Sequence, residues 1–379
     1  MSKAAELAAL IGSQSALSDR NIIINGAMQV AQRGTSVSSF SSEGYASLDR
    51  WKLIGSNFGT WTVSQSTDVP SGQGFGSSMK LDCTSADTSI GASDSLRLRQ
   101  GIEGQNVQSL AKGTSGAKSV TFSFWVKSNK TGTYGFEFRD QDNTRHNCRT
   151  YTIDSANTWE KKTLTFPGDT SGALDNDNAM SLQPQWFLIA GSNLTSGSAQ
   201  TTWGSAVAAN RAVGHNVNIA DSTDNEWYIC GVQMELGEQA TPFEHRSFGD
   251  ELARCQRYAY VPTKTLGLTG QSGGFLGRVI YPVTMRSAPA LTLTASAGYD
   301  NSNAFGNSPE DNEFTITNVN SGNGVSFNTA PTGMIITEQT TEECMISFSG
   351  ASTPNEEATN PIYALKFGTG ASMLLSAEL

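Results

Sequence analysis

Residues 119–126, SVTFSFWV, alternate without a break, with Val120, Phe122, Phe124 and Val126 on one face and Thr121, Ser123 and Trp125 on the other. A period of two belongs to a strand with one face packed and one face wet, because a helix would scatter the same residues around its axis. Thr133–Arg139 repeats the pattern with Tyr134, Phe136 and Phe138, and Asn157–Phe166, Trp186–Ala190 and Trp227–Leu236 read as further strands. The segment NIIINGAMQVAQRGTSV reads as two strands joined by a turn at Asn25-Gly26. The 38 glycines supply turn signals every ten residues or so. The reading for 20–247 is therefore all-β, a two-sheet antiparallel jelly-roll β-sandwich.

The remaining segments fit around that body. Leu7, Ala8 and Ile11, with Ala4, make a one-sided helical pattern within residues 1–19. So short a helix is marginal alone, so this is either a frayed tail or an anchor that folds on another subunit. After the strand at 227–236, Gly237 and Pro242 make a turn, and Ser247 with Asp250 three residues on reads as a helix start. Phe248, Leu252, Cys255 and Ala259 then fall on one face of a linking helix over 248–261. That stripe suits three helices meeting on a homotrimer axis, or packing against the helix's own sandwich. Residues 262–379 read as a smaller C-terminal β-sandwich. Strands are expected at 264–269, 275–285, 290–295, 313–319, 324–328, 333–337, 344–348 and 361–367, with Pro289, Pro309, Pro331 and Pro354 in the gaps.

Composition removes several functions. A net charge of −10 and a pI near 4.9 argue against a nucleic-acid footprint, which needs a basic face, and against adsorption to an anionic membrane. No apolar run reaches the ~18 residues of a membrane span. Cys83, Cys148, Cys230, Cys255 and Cys344 are odd in number and never in a C-x-x-C pair, which reads as reduced thiols.

Three motifs resemble bacteriophage tail-fibre proteins: NIIINGAMQVAQRGTS followed by Tyr45 and Asp49-Arg50-Trp51; GVQMELGEQATPFEHRS leading into ELARCQRY; and YPVTMRSAPALT at 281–292 followed by the ending SAEL. The resemblance implies that the first two open and close a jelly roll like that of carbohydrate-binding modules, and that the third opens the distal tip. It further implies a non-enzymatic homotrimer in the virion, assembled in the bacterial cytoplasm. The N-terminus would join tail adaptor or nozzle proteins, and the C-terminal domain would face a host surface glycan such as lipopolysaccharide. A head-attached fibre or connector is the alternative, and a polysaccharide-degrading tailspike a third reading.

Candidate chemistry is sparse. Gly270-Gln271-Ser272-Gly273-Gly274 matches G-x-S-x-G in letters, but a strand follows and every histidine precedes Ser272, so it reads as a turn. GTSGAKS at 113–119 has Ala117 where a phosphate loop needs glycine. No cofactor is expected. Asp169, Asp175 and Asp177 could offer hard oxygens to a structural Ca²⁺, against the competing reading of a solvated acidic loop. His245 reads as a hydrogen-bonded structural residue rather than a base. Sugar binding needs an aromatic face with polar groups beside it, and Trp61, Trp125, Trp186 and Trp203 could each serve. In the distal domain the loop bearing Tyr299, Asp300, Asn301, Asn303, Phe305 and Asn307 is the expected receptor contact.

Overall fold

The computed structural model describes residues 19–262, 266–271, 274–294, 314–318, 333–337, 339–349, 362–367 and 372–379. The proposed virion anchor (Leu7, Ala8, Ile11) and the proposed receptor loop (Tyr299, Asp300, Asn301, Asn303, Phe305, Asn307) lie outside the described residues. The chain divides into two compact units, one ending at Leu252 and including Leu379, the other running from Ala253 to Glu378.

The first unit is a jelly-roll sandwich. Its strands are β1 (Ser36–Phe40), β2 (Gly44–Tyr45), β3 (Lys52–Ser56), β4 (Thr60–Ser66), β5 (Ser78–Ser85), β6 (Ser95–Arg99), β7 (Ile102–Glu103), β8 (Val120–Ser128), β9 (Gly132–Asp140), β10 (Arg145–Ile153), β11 (Glu160–Phe166), β12 (Met180–Ala190), β13 (Gly204–Ser205) and β14 (Glu226–Leu236). A single-turn helix, α1 (Ser192–Thr195), follows β12. One sheet runs β1-β4-β5-β14-β8-β11 and the other β13-β10-β9-β12-β6-β3-β2, with β7 beside β12. Every described pairing is antiparallel.

The alternation in β8 and β9 explains the packing between the sheets. Phe122 and Phe124 of the first sheet meet Phe136 and Phe138 of the second with ring centroids 5.0 to 6.3 Å apart, and Trp186 stands edge-on to Phe124 and Phe136. All five rings are buried. Each such side chain removed from water contributes about 1.5–3 kcal/mol, and aromatic pairing adds about 0.5–1.5 kcal/mol. Trp61 and Trp186 are consumed by this core and present no face to a ligand.

Residues 20–35 depart from the two-strand expectation. The turn at Asn25-Gly26 is present, but no ladder forms on either side of it. Asn25 and Met28 take φ of 58°, the left-handed region, which breaks any extended run. Two isolated backbone bonds tie the segment to β14, Ile22 N to Met234 O and Val232 N to Gly26 O, and side chains do the rest. Asn25 accepts from Val30 N and donates to the carbonyls of Val30 and Asp49. Asn21 bonds Val232 O and Met234 N of β14. Asp49 takes Gln32 and Arg33, Arg50 donates to Gly101 O, and Trp51 donates to Asn25 O. Glu244 and Glu251 accept from Asn21 N and Asn25 N. Two of the motifs that carry the family resemblance thus meet in one hydrogen-bonded seam.

Ser247 caps helix α2 (Phe248–Gln256) as its spacing predicts, bonding Asp250 through both N and Oδ2. The four-residue stripe does not survive. The helix stops at Gln256, and Ala259 lies in strand β15 (Ala259–Tyr260) paired with Ser376. Cys255 and Ala259 are fully buried, Leu252 is half-buried, and Phe248 alone is openly exposed, at 55%. Strand pairing has overridden the helical periodicity after Tyr258, so Cys255 and Ala259 are closed to a trimer axis.

The second unit holds β15 with β16 (Leu266–Gln271), β17 (Gly274–Ile280), β18 (Ala290–Thr294), β19 (Phe314–Asn318), β20 (Gly333–Thr337), β21 (Glu343–Ser349), β22 (Ile362–Phe367) and β23 (Ser372–Ser376). They form a sheet in the order β19-β22-β16-β17-β21-β20 and a three-stranded sheet β15-β23-β18. The strand expected at 324–328 lies outside the described residues, and β23 was not anticipated. No helix among the described residues is long and apolar enough to cross a membrane.

Candidate functional site

The face of β8 turned away from the aromatic core carries Ser123, Trp125 and Lys127, of which Trp125 alone is not fully buried, and its Cα partners on β11 and β14 place Lys161 and Cys230 beside Trp125. Beyond Cys230 the β14–β8 register slips, and Gly231 occupies the bulge with φ of 58°. A side chain there would meet the Phe75 ring, since a Cβ built on Gly231 lies 2.5 Å from Phe Cζ. Glycine lets the 67–77 loop lie directly on the sheet.

A second loop, 237–247, faces the first. Phe243 stands edge-on to Phe75 and to His245, and His245 is tilted against Phe75, the three rings forming a cluster with centroids 4.9 to 5.2 Å apart. Between the loops is a groove of about 480 Å³ whose lining includes Gln73, Phe75, Ser123, Trp125, Lys161, Gly231, Thr241, Phe243 and His245. That volume suits a small ligand. Trp125 is half-buried and Lys161 exposed.

Both walls are tied down. Buried Glu235 accepts from Thr241 N and Oγ1 at 2.9 and 2.6 Å and from Gln233 Nε2 at 2.8 Å, and Gln233 Oε1 accepts from Glu244 N. On the other side Asp68 pairs with Lys127, accepts from Trp159 Nε1 and receives Ser78 Oγ on its carbonyl. Burial would raise the Asp68 carboxyl, but the bonds from Lys127 and Trp159 outweigh it and hold it below its ordinary value. Lys127 lies over the Tyr228 ring at 4.3 Å, and Tyr228 donates to Glu226. Side chains fixed in this way form a site without reordering on binding.

Of the four tryptophans singled out for sugar binding, the structure brings one, Trp125, to a groove. Trp203 is half-buried, donates to Pro167 O and lies against Phe138 and Lys112. His245 is held by rings; no hydrogen bond to it is found among the described residues, which corrects the expectation of a hydrogen-bonded histidine. Phe75, Phe243 and Gly231 were missed. Loop aromatics carry no periodicity, although a glycine inside the strand 227–236 is itself a bulge signal.

The three aspartates expected to hold Ca²⁺ do not converge. Asp175 and Asp177 are exposed. Asp169 is buried in a cage around the Lys112 ammonium, which contacts Asp140 at 2.5 Å, Asp169 at 3.0 Å, Ser171 O at 3.0 Å and Gly172 O at 2.8 Å. Arg145 adds a forked pair to Asp169 at 2.7 and 2.9 Å. The cation there is the chain's own, and a divalent ion would meet two positive side chains.

Among the described residues Glu137, His146 and Cys148 bring metal-ligating atoms within 4.8 Å of one another. Their lone pairs are already engaged. Arg211 forks onto Glu137 at 2.7 to 3.1 Å. His146 Nε2 accepts the Val207 N–H, so its Nδ1 carries the proton and donates to Glu137 at 2.8 Å. Burial would raise Glu137, yet His146 and Arg211 hold it down to about 2. Burial pushes the Cys148 thiol up, away from the thiolate a metal requires. The cluster is a strut fastening the 207–211 segment to the outer face of the second sheet.

No protein-family model matches the sequence, and no curated protein matches it. Among solved structures the enzymatically active domain of bacteriophage CBA120 tailspike protein 4 is similar at 15% identity, covering 57% of this chain and 21% of that one, with a TM-score of 0.30. The family 11 carbohydrate-binding module from Clostridium thermocellum, in complex with a β-1,3-1,4-mixed-linked tetrasaccharide, is similar at 14% identity over 56% of this chain and 98% of that one, with a TM-score of 0.26. The module TmCBM61, in complex with β-1,4-galactotriose, is similar at 13% identity over 58% and 100%, with a TM-score of 0.28. Likenesses this distant leave the function to be argued from the residues.

Proposed function

We propose that the protein is a non-enzymatic tail-fibre component of a bacteriophage virion, homotrimeric, which binds a host surface glycan in the groove over Trp125. The observation that carries the reading is the groove's composition. A half-exposed indole forms its floor, a three-ring wall closes one side, and Ser123, Gln73 and Lys161 offer donors and acceptors around it. Saccharides are recognised in this way, with an aromatic face under the C–H side of the ring and polar groups around the hydroxyls. None of the described lining residues is a carboxylate. Glycoside hydrolysis ordinarily needs a carboxyl pair flanking the bond, so the groove favours binding over cleavage. The tail-fibre assignment rests on the three sequence motifs, and exposed Phe248 is left as the apolar contact for a trimer partner.

The test is adsorption of labelled protein to host cells, comparing wild type with Trp125→Ala at matched circular dichroism. Binding is expected to fall at least tenfold in the variant; equal binding would move the receptor site away from this groove. Immunogold labelling of purified virions addresses the rest: gold at the tail is expected, and gold at the capsid would replace the tail fibre by a head fibre.

A further inference from the structure

We infer that the saccharide held over Trp125 is acidic, a carboxylate-bearing sugar whose charge is met by Lys161; this rests on the glycan reading of the groove and narrows its ligand class. The chain carries 35 acidic and 25 basic residues. Lysines on this sheet face are accordingly neutralised: Lys80 sits 2.6 Å from Glu226 and 3.5 Å from Asp82, and Lys127 is paired with Asp68. Lys161 differs. It is exposed, and its ammonium has neither a hydrogen bond nor an ion pair among the described residues. In a chain with an excess of carboxylates, the one lysine among the described groove-lining residues is left without an ion pair.

Geometry places that charge usefully. Lys161 and Trp125 are directly opposed across the antiparallel β8–β11 pair. Opposed side chains start about 4.5–5.5 Å apart, so the ammonium reaches alongside the indole. A pyranose lying on Trp125 would bring a ring carboxylate within reach of Lys161 while its hydroxyls face Ser123 and Gln73. Lys161 has no competing acid in the groove lining, and a neutral sugar would leave its charge unused. Lysine serves here as a point charge, which matches a carboxylate carried on a flexible sugar chain.

The test is calorimetric titration of the full chain with oligogalacturonate, its methyl ester and the matched neutral oligogalactoside, repeated on an array of paired uronate-bearing and neutral oligosaccharides. Wild type is expected to prefer the acid partner in the bound pair about tenfold, as charge-assisted hydrogen bonding supplies. The preference should shrink as salt rises. Lys161→Gln should erase it while leaving neutral-sugar binding intact, and Lys118→Gln, outside the groove, should change nothing. If acid and neutral partners bind equally, and Lys161→Gln is silent while Trp125→Ala abolishes binding, the acidic inference falls and the glycan groove stands. If no sugar on the array binds, or if Trp125→Ala is silent, both fall.

Discussion

Replacing Lys112 by Met tests how far buried polar structure holds the first unit together. The side chain of Lys112 is 5% exposed, and its ammonium is the centre of a cage made by Asp140, Asp169 and two carbonyls, with Trp203 at 5.4 Å. Methionine fills the same volume but leaves both carboxylates without that cation. Breaking a buried pair by deleting one partner costs about 3–5 kcal/mol. The lower end applies here, because Asp169 keeps Arg145 and Asp140 keeps both bonds from Asn143. About 3 kcal/mol is a large share of a total stability of about 5–15 kcal/mol. Urea unfolding followed by tryptophan fluorescence should show that loss with an unchanged slope, and Tm should fall by roughly 6–12 °C. The pH dependence has a definite sign. Burial would raise the Asp169 carboxyl, but Arg145 and Lys112 hold it below its ordinary value. Its contribution is therefore present above the unfolded pKa of about 3.9 and lost as pH falls through the lower folded value. The gap between wild type and variant should accordingly narrow below about pH 4. A loss under 1 kcal/mol at pH 7, or a gap that widens in acid, would refute the cage as a stabilising element.

Gly231→Val places a β-branched residue at φ of 58° against Phe75, so it should cost about 1–3 kcal/mol and remove glycan binding; adding Phe75→Ala should recover the steric part and not the binding. Asn25→Ala removes three buried hydrogen bonds from the seam and strands Val30 N–H, an expected loss of about 3 kcal/mol by chemical denaturation. All five cysteines are buried thiols outside any disulfide, and burial pushes Cys83 up to about 11 and Cys148 and Cys230 further. A thiol reagent at pH 8 should therefore find no reactive thiol in the native protein and five after denaturation; prompt native reaction would contradict the packing.

The sandwich was legible because its two faces differ in chemistry at every second residue. Val120 to Val126 announces both a strand and the side that packs, and it also puts Trp125 on the opposite side from Phe122 and Phe124. That phase could have separated Trp125 from Trp186, which shares the inward face of β12 with Leu182 and Leu188. Residues 20–35 misled because three consecutive isoleucines look like a strand, whereas the conformation is set by left-handed Asn25 and Met28 and by partners near residue 250. Ala259 continued a helical stripe in sequence only, since a partner strand far along the chain claims its backbone. The groove walls and the Lys112 cage were invisible for the same reason. Loops remote in sequence assemble them, and neither a loop aromatic nor a lone lysine carries a pattern that forecasts its neighbours.

The most direct measurement of the central claim is hydrogen exchange by mass spectrometry on the full chain, with and without surface polysaccharide from a sensitive host. Added polysaccharide is predicted to slow exchange in 72–77, 120–127 and 237–247, the two loops and the strand that form the groove. Protection confined to residues beyond 262, with those three segments unchanged, would contradict it.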